Sequence, residues 1–504
     1  MQEKEGVDQP AFQKQQKAEG SHRVGVGLDF GTSNSAAAIF DGTTVTMVML
    51  EAQTPVMPTA TYLDRELNTC TGQEAIDTYI ARNQGRKVEL SVEVIGEARM
   101  STGHFDAETR QHVEGDTHAV YGHAFNDGGM PGRLFRGIKR LLGHASSERV
   151  EVFGRSFRLV ALITPVLLRI RKAIELMLGQ PHDSRQGLQA CIGHPVNFEG
   201  REAGHNVLAL QRLHEACGYA GLKLCTFYPE PTAAALSYMQ ANPAHHGELL
   251  LTVDFGGGTL DLCILRRKDD GFDVLAVHGI ALGGDLIDQL VFRKFLFPLL
   301  GKGERWQRVD DGYVIDSIFP FEQYEELLLN WTVSYMLNQN TYTTPVMDMM
   351  RKESAVSGKF SRLYELITQN YSYQVFQAIR NCKAELSSRE SAQLDIPEID
   401  ITLTITRDAF EECIAEPLER FDEAVRQVMD MAGTTADETS LVLRTGGSSL
   451  IPAVKHRLEE RFGGRVVEHD PFISVATGLA IADYYNHGVS LDAEPSGSIT
   501  HVPA

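Results

Sequence analysis

Two rhythms of apolar and polar positions share the chain: short continuous runs bounded by turn residues, and longer stretches with helical spacing. RVGVGLDF reads as a buried strand, and SAAAIFDGTTVTMVML as a hairpin whose Asp41-Gly42 pair supplies the turn between two β-prone runs. From Pro55 to about Gly154 the pattern breaks into short pieces rich in Gly, His and charge, ending in the basic GRLFRGIKRLLG. This segment reads as an inserted subdomain with mobile loops. TPVLLRIRKAIELMLGQ predicts an amphipathic helix with Pro165 near its start and Gly179 at its end, and QACIGHPV a strand. EAGHNVLALQRLHEACGYAG carries Val207, Leu210, Leu213 and Cys217 at helical spacing, a core stripe, with Gly218 or Gly221 to close the helix.

After GELLLTVDFGGG the same grammar returns, with two strands predicted around Asp270-Gly271 in LDLCILRRKDDGFDVLAVHG. A mainly helical stretch follows as a second insertion. QLDIPEIDITLTITRDAFEECI then predicts strands leading into a helix, SLVLRTGGSSLIPAVKHRLEERFG a strand, glycine turn and helix, and DPFISVATGLAIADYY a last helix. The expected organisation is a disordered tail over 1–22, a first lobe over 23–247 with an insertion at about 55–154, a second lobe over 248–484 with an insertion at about 291–399, and a polar tail over 485–504.

Composition bounds the partners. A chain of 504 residues that is 43% hydrophobic can bury large cores. A formal charge of −20 argues against a non-specific hold on nucleic acid or an anionic membrane, which needs concentrated positive surface. Seven cysteines form no CxxC pair and fit a reducing cytoplasm better than a disulfide framework. The N-terminal residues are polar, unlike a signal peptide, and no apolar run reaches the roughly 18 residues of a membrane span. The expectation is therefore a cytoplasmic protein without nucleic-acid or membrane partners. Seventeen histidines contain no HExxH or comparable metal cluster.

The chemistry lies in a repeat. GLDFGTSNSA, Gly27 to Ala36, is echoed by TVDFGGGTLD, Thr252 to Asp261, each after an apolar run. A strand ending in a glycine turn presents backbone N–H groups to an anion with no Cβ in the way, and phosphate is the natural guest. Thr32, Ser33 and Thr259 can add hydroxyl donors, while Asp29 and Asp254 can hold a hydrated magnesium ion. One such loop is weak evidence, but two in matching contexts are not. GxxxxGK[ST] is absent, neither loop is a GxGxxG opening a helix, and the HRD and VAIK motifs that accompany Asp-Phe-Gly in protein kinases are missing.

VGLDFGTSNS, LLTVDFGGGTLDL, LVLRTGGSSLIP and YPEPTAAALSYM resemble, in order, the first phosphate, second phosphate, adenosine and hinge-helix motifs of the actin-like ATPase superfamily, in its DnaK-type heat shock protein 70 branch. IGHPVNF, ALGGDLIDQLV and NCKAELSS fit the same branch, particularly its short YegD-like members. The resemblance implies an α/β, actin-like ATPase fold, a duplicated ribonuclease H-like unit with an inserted subdomain in each lobe and the last helix returning to the first lobe. It implies ATP and Mg2+ as ligands. Gly31, Thr32, Ser33 and Asn34 would contact phosphates from the first lobe, with Asp29 near magnesium, while Gly256, Gly257, Gly258 and Thr259 would close from the second. Lys139 matches the lysine that reaches the γ-phosphate, and Glu230 and Asp254 the carboxylates around magnesium and the attacking water, either of which would orient or deprotonate it. Gly446, Gly447 and Ser448 would sit under the adenosine, with Lys383 reaching the nucleoside from the second insertion, and Gly284 would also contact the nucleotide.

Three departures accompany the match. Ala384 stands where the family has an adenine-stacking arginine, so adenine is expected to be held more loosely or by another side chain, and Phe472 replaces an acidic residue. The chain stops near Ala504, where a DnaK-type chaperone continues into a peptide-binding β-domain and lid, so clients or co-chaperones are expected on the lobes or insertions. The leading expectation is an ATP-hydrolysing, chaperone-type switch whose lobes move with ATP or ADP. A small-molecule kinase of the same superfamily and an actin-like nucleotide-dependent scaffold are the alternatives.

Overall fold

The structure is a computed structural model that describes residues 23–88, 90–91, 94–106, 111–121, 126–127, 129–179, 187–200, 203–242, 248–268, 271–310, 313–351, 356–470 and 473–491. The expected N-terminal tail, Asp270 of the expected second hairpin, Phe472 and most of the C-terminal tail lie outside these residues, as do 89, 92–93, 107–110, 122–125 and 128.

The chain opens with β1 (Gly25–Phe30), β2 (Asn34–Phe40) and β3 (Val45–Met47), the last two joined through Asp41-Gly42, where Gly42 takes a left-handed φ of 97°. β4 (Ala60–Asp64) and β5 (Thr69–Thr71) lead into α1 (Gln73–Asn83), and β6 (Gly132–Arg136) returns antiparallel to β4. Then come α2 (Leu159–Leu178), β7 (Gln189–His194), α3 (His205–Tyr219), β8 (Leu224–Pro229) and α4 (Glu230–Ala241). The second half runs β9 (Leu249–Phe255), β10 (Leu260–Lys268), β11 (Gly271–Ile280), α5 (Gly284–Val291), α6 (Ser372–Leu386), α7 (Ala415–Ala432), β12 (Leu441–Thr445), α8 (Pro452–Phe462), β13 (Val466–Glu468), α9 (Ser474–Tyr485) and β14 (Val489–Ser490).

Two sheets share one plan. The first is ordered β14-β8-β7-β1-β2-β3 and the second β11-β10-β9-β12-β13. In each, three consecutive antiparallel strands are extended beside the first by two parallel ones, β7 and β8 or β12 and β13. Period-two alternation gives each sheet an outer and an inner face. In β1, Val26, Leu28 and Phe30 enter the core under α2, while in β9 Leu249, Leu251, Val253 and Phe255 join the core that α7 shares. Phe255 stacks on Phe421 of α7 with ring centroids 5.8 Å apart. The inner faces are covered crosswise. Ala235 and Tyr238 of α4, from the first half, pack on Leu250, Leu265 and Leu443 of the second sheet, and Ala476, Ala480 and Ile481 of α9, from the second half, pack on Ala36, Ala38 and Phe40 of the first. The two helices touch where Gly478 meets Ala233: a Cβ on Gly478 would lie 1.8 Å from the Ala233 carbonyl oxygen.

The two segments expected as insertions share a core. Ala75, Ile76 and Tyr79 of α1 belong to the same buried cluster as Trp331, Tyr335 and Val375. Within the segment expected as the second insertion, about 291–399, lie helices and a β-hairpin of Arg305–Asp310 with Tyr313–Ile318, and a second hairpin, Ser391–Ile396 with Ile401–Thr406, runs past its end.

Three local expectations change. α2 begins at Leu159, so Pro165 lies inside the helix. As the seventh residue, Pro165 lacks the N–H that would have bonded the Ala161 carbonyl, and beside it the Thr164 hydroxyl donates to the Val160 carbonyl. In α3 the packed positions are Ala209, Leu213, Ala216 and Cys217, spacing that leaves Val207 59% exposed rather than in the stripe. Val489 and Ser490, assigned to the polar tail, form an edge strand paired with Phe227 and Thr226 of β8. Among the described residues, no helix is long and apolar enough to cross a membrane.

Candidate active site in the cleft between the sheets

The alternation that buries Leu28 and Val253 on the outer faces turns Asp29 and Asp254 to the inner ones, at corresponding positions. In β1-β2 and in β9-β10 alike, the aspartate is followed by one phenylalanine and a four-residue turn, 31–34 or 256–259, before the next pair closes as Phe30 with Ser35 or Phe255 with Leu260. The residue opposite the aspartate differs. It is Ala36 in the first hairpin and Asp261 in the second.

Between the hairpins lies a cavity of about 570 Å³, within the usual range of ligand sites. Asp29, Gly31, Thr32, Ser33 and Asn34 line it from the first sheet, and Asp254, Gly256, Gly257, Gly258 and Thr259 from the second. The loops nearly touch: a Cβ on Gly257 would lie 2.9 Å from Ser33 Oγ. Gly446 and Gly447, after β12, line the cavity too. Gly446 has φ 79°, and a Cβ there would meet Asp254 Oδ1 at 2.5 Å, so a side chain is excluded twice over.

Lys139 and Glu230 arrive from separate elements. β6 ends at Arg136, Gly137 turns the chain with φ 67°, and a 3-10 turn over Ile138–Leu141 puts Lys139 at the cavity. Glu230 is the first residue of α4, directly after β8, with Pro231 well suited to the first turn. Lys139 Nζ meets Glu230 Oε1 at 2.5 Å, and Lys139 is only 4% exposed.

Charge in this cleft is unbalanced, with carboxylates gathered around a single buried lysine. Burial, then Asp261, Glu230 and Asp29, push the Asp254 carboxyl up to about 8, with Lys139 opposing. Burial and Glu230 take Asp29 to about 7, again against Lys139. Asp261 rises to about 6 through burial, restrained by the Thr259 hydroxyl, which donates to Asp261 Oδ2 at 2.7 Å. Burial works against the Lys139 charge, but Glu230, Asp29 and Asp261 outweigh it and hold the ammonium above its usual value. Among the described residues, no three His, Cys, Asp or Glu side chains converge to ligate a metal directly. Buried carboxyls kept from ionising by one another nevertheless fit a hydrated divalent cation, whose charge would favour their anionic forms.

Three expected residues stand outside the cavity wall. The Gly284 N–H, at the start of α5, donates to the Gly256 carbonyl at 3.1 Å, and Ser448 Oγ donates to the same oxygen at 2.9 Å. Both brace the second loop from behind. Lys383 Nζ is paired with Asp288 Oδ1 at 2.5 Å and donates to the Gly284 carbonyl at 3.3 Å. Ala384 is exposed beside it on α6. Conversely, Asp261, Arg140, Asn197, Glu199 and His205 line the cavity without having been singled out. Only Asp261 carried a readable signal: in a hairpin closed by a four-residue turn it falls opposite Asp254.

Comparison with known proteins adds similarity over most of this framework. A family model described as Hsp70 protein matches residues 144–312 and 364–487. The chaperone protein DnaK of Thermoplasma acidophilum is 24% identical over 466 residues, 90% of this chain and 57% of that protein. The chain thus spans little more than half the length of this curated relative.

Proposed function

Since the chain belongs to the Hsp70 family, we propose that it is a chaperone-type protein that binds MgATP between its two sheets, hydrolyses it, and changes the disposition of two lobes with the state of the nucleotide. One observation carries the reading: two matched loops and the Lys139–Glu230 pair, supplied by separate parts of the chain, line one cavity.

Thr32, Ser33 and the N–H groups of both turns supply donors to phosphate oxygens from opposite sides. Lys139, held by Glu230, offsets negative charge as it builds on the phosphoryl group. With Glu230 committed to Lys139, Asp254 is the carboxylate that orients the attacking water and takes its proton. A magnesium ion held beside it would favour the anionic form that can accept that proton. Asp29 and Asp254 would hold magnesium through water, and the ion would supply charge neutralisation for the phosphates. Gly446 and Gly447 leave space for the nucleoside, and Gly284, Ser448 and Lys383 set the wall behind it. ATP bridging both loops favours their approach, and hydrolysis removes part of the bridge. Clients or co-chaperones would bind the lobes or their insertions.

The test is phosphate release from MgATP by the full chain beside Lys139→Ala and Asp254→Asn, with ATP binding measured in parallel. Slow release lost in both variants supports the proposal. Failure of the unaltered chain to bind ATP overturns it.

A further inference from the structure

Alternation along β12 sets Val442 and Arg444 on the outer face of the second sheet, which builds the core under α7 and α8. Val442 joins that core with Val454 and Leu458 of α8 and with Val253 of β9, the residue opposite Arg444. An apolar side chain is what such a position calls for. Arg444 is nevertheless only 3% exposed there. A buried guanidinium needs partners, and it has two on different elements. Nη2 donates to Glu468 Oε2 of β13 at 2.8 Å, and Nη1 donates to the Ser449 carbonyl, in the turn that follows β12. Nε is buried without a partner, so those two attachments hold the group in place.

That turn carries Gly446 and Gly447, which line the cavity. Hydroxyls tether it at two points: Thr445 Oγ1 lies 3.1 Å from Ser474 Oγ of α9, and Ser448 Oγ donates to the Gly256 carbonyl at 2.9 Å. Arg444 adds a charged clamp at its far end. Two adjacent glycines have wide conformational freedom, and ordering them as a ligand arrives costs affinity, whereas a turn ordered on folding meets the ligand already in shape. We propose that Arg444 is a positioning residue that pre-sets the turn at Gly446 and Gly447 for the nucleoside, acting through the Ser449 carbonyl and not by touching the ligand. The proposal rests on the nucleotide-binding reading and extends it, since nucleoside affinity then depends on a side chain buried behind the wall. The phosphate loops are closed by their own hairpins, β1-β2 and β9-β10, and keep that closure without Arg444.

Arg444→Met is close in length and apolar, which suits the surrounding core, and Arg444→Lys keeps a charge without the two-armed geometry. Calorimetric titration of the full chain with MgADP and with magnesium tripolyphosphate, a probe that has no nucleoside, separates the two ends of the site. Arg444→Met is expected to weaken MgADP about tenfold, as for one charge-assisted hydrogen bond, and tripolyphosphate by no more than about twofold, with Arg444→Lys in between. In MgATP turnover, KM should rise by a larger factor than kcat falls. Should Arg444→Met fail to fold, Glu468→Gln, at a side chain 52% exposed, is expected to give a milder loss of the same kind. Equal weakening of both ligands, or unchanged MgADP affinity in a folded variant, overturns the positioning role and leaves the nucleotide reading standing. Failure of the unaltered chain to bind any nucleotide overturns both.

Discussion

The Tyr79 ring meets the Trp331 ring edge to face, with centroids 6.0 Å apart, and the Tyr79 hydroxyl donates to the neighbouring Thr332 carbonyl at 2.6 Å. Arg136 lies over the other aromatic surface of this seam, 5.3 Å from the Trp331 centroid, and Arg86 lies 4.9 Å from that of Tyr335. Two segments from different halves of the chain are therefore packed into one core.

Trp331→Ala should open that seam. Removing a large buried aromatic costs about 3–5 kcal/mol, and Arg136 would lose the ring that partners its partly desolvated charge. The urea midpoint should fall sharply, with Trp331→Phe recovering much of the loss.

The Asp254 carboxyl predicts how the unliganded protein responds to pH. The folded state keeps a proton up to about 8 that the unfolded chain releases at about 4, so stability should fall as pH rises between those values and level off above. Melting curves from pH 5 to 9 check this. Asp254→Asn should flatten the decline and melt higher than the unaltered chain at pH 8, while phosphate release from MgATP is lost. A steeper decline in the variant would contradict the assignment.

Lys139→Ala leaves Glu230 without its buried partner and the phosphoryl group without a cation. Phosphate release should drop about 100-fold or more, in line with the removal of a transition-state donor. ATP affinity, measured separately, should change far less than the rate.

Gly478→Ala is a substitution whose sign the packing decides. In an open helix, alanine would gain about 1 kcal/mol over glycine. Here the added Cβ would lie 1.8 Å from the Ala233 carbonyl oxygen, so α4 and α9 must separate. The expected outcome is a lower melting temperature, and a rise would show that the crossing has room to give.

Several of these relationships were open to sequence reading and others were not. The hairpin at Asp41-Gly42 announced itself because a turn dipeptide sits between β-prone runs, and the four-residue glycine turns because they repeat. The start of α2 did not: the apolar run Leu159 to Ile163 has no clear period, and Pro165 resembled a first-turn residue. Asp261 was in plain view in TVDFGGGTLD, yet its role beside Asp254 depends on which residue lies opposite which. Lys383 and Asp288, Arg444 and Glu468, and Tyr79 and Trp331 are distant in the chain, and no local pattern pairs them. Sequence marks the residue types; the crossing of two halves decides which of them meet.

The covering of β1 has a consequence for how the protein is made. Gly25 and Gly27 lie against the backbone of Ala476 and Ala480, with room for no side chain between. The inner face of β1 therefore waits uncovered until α9, hundreds of residues later, has been synthesised. During that interval the nascent first half resembles the clients a chaperone serves, with an unfinished sheet in need of shielding.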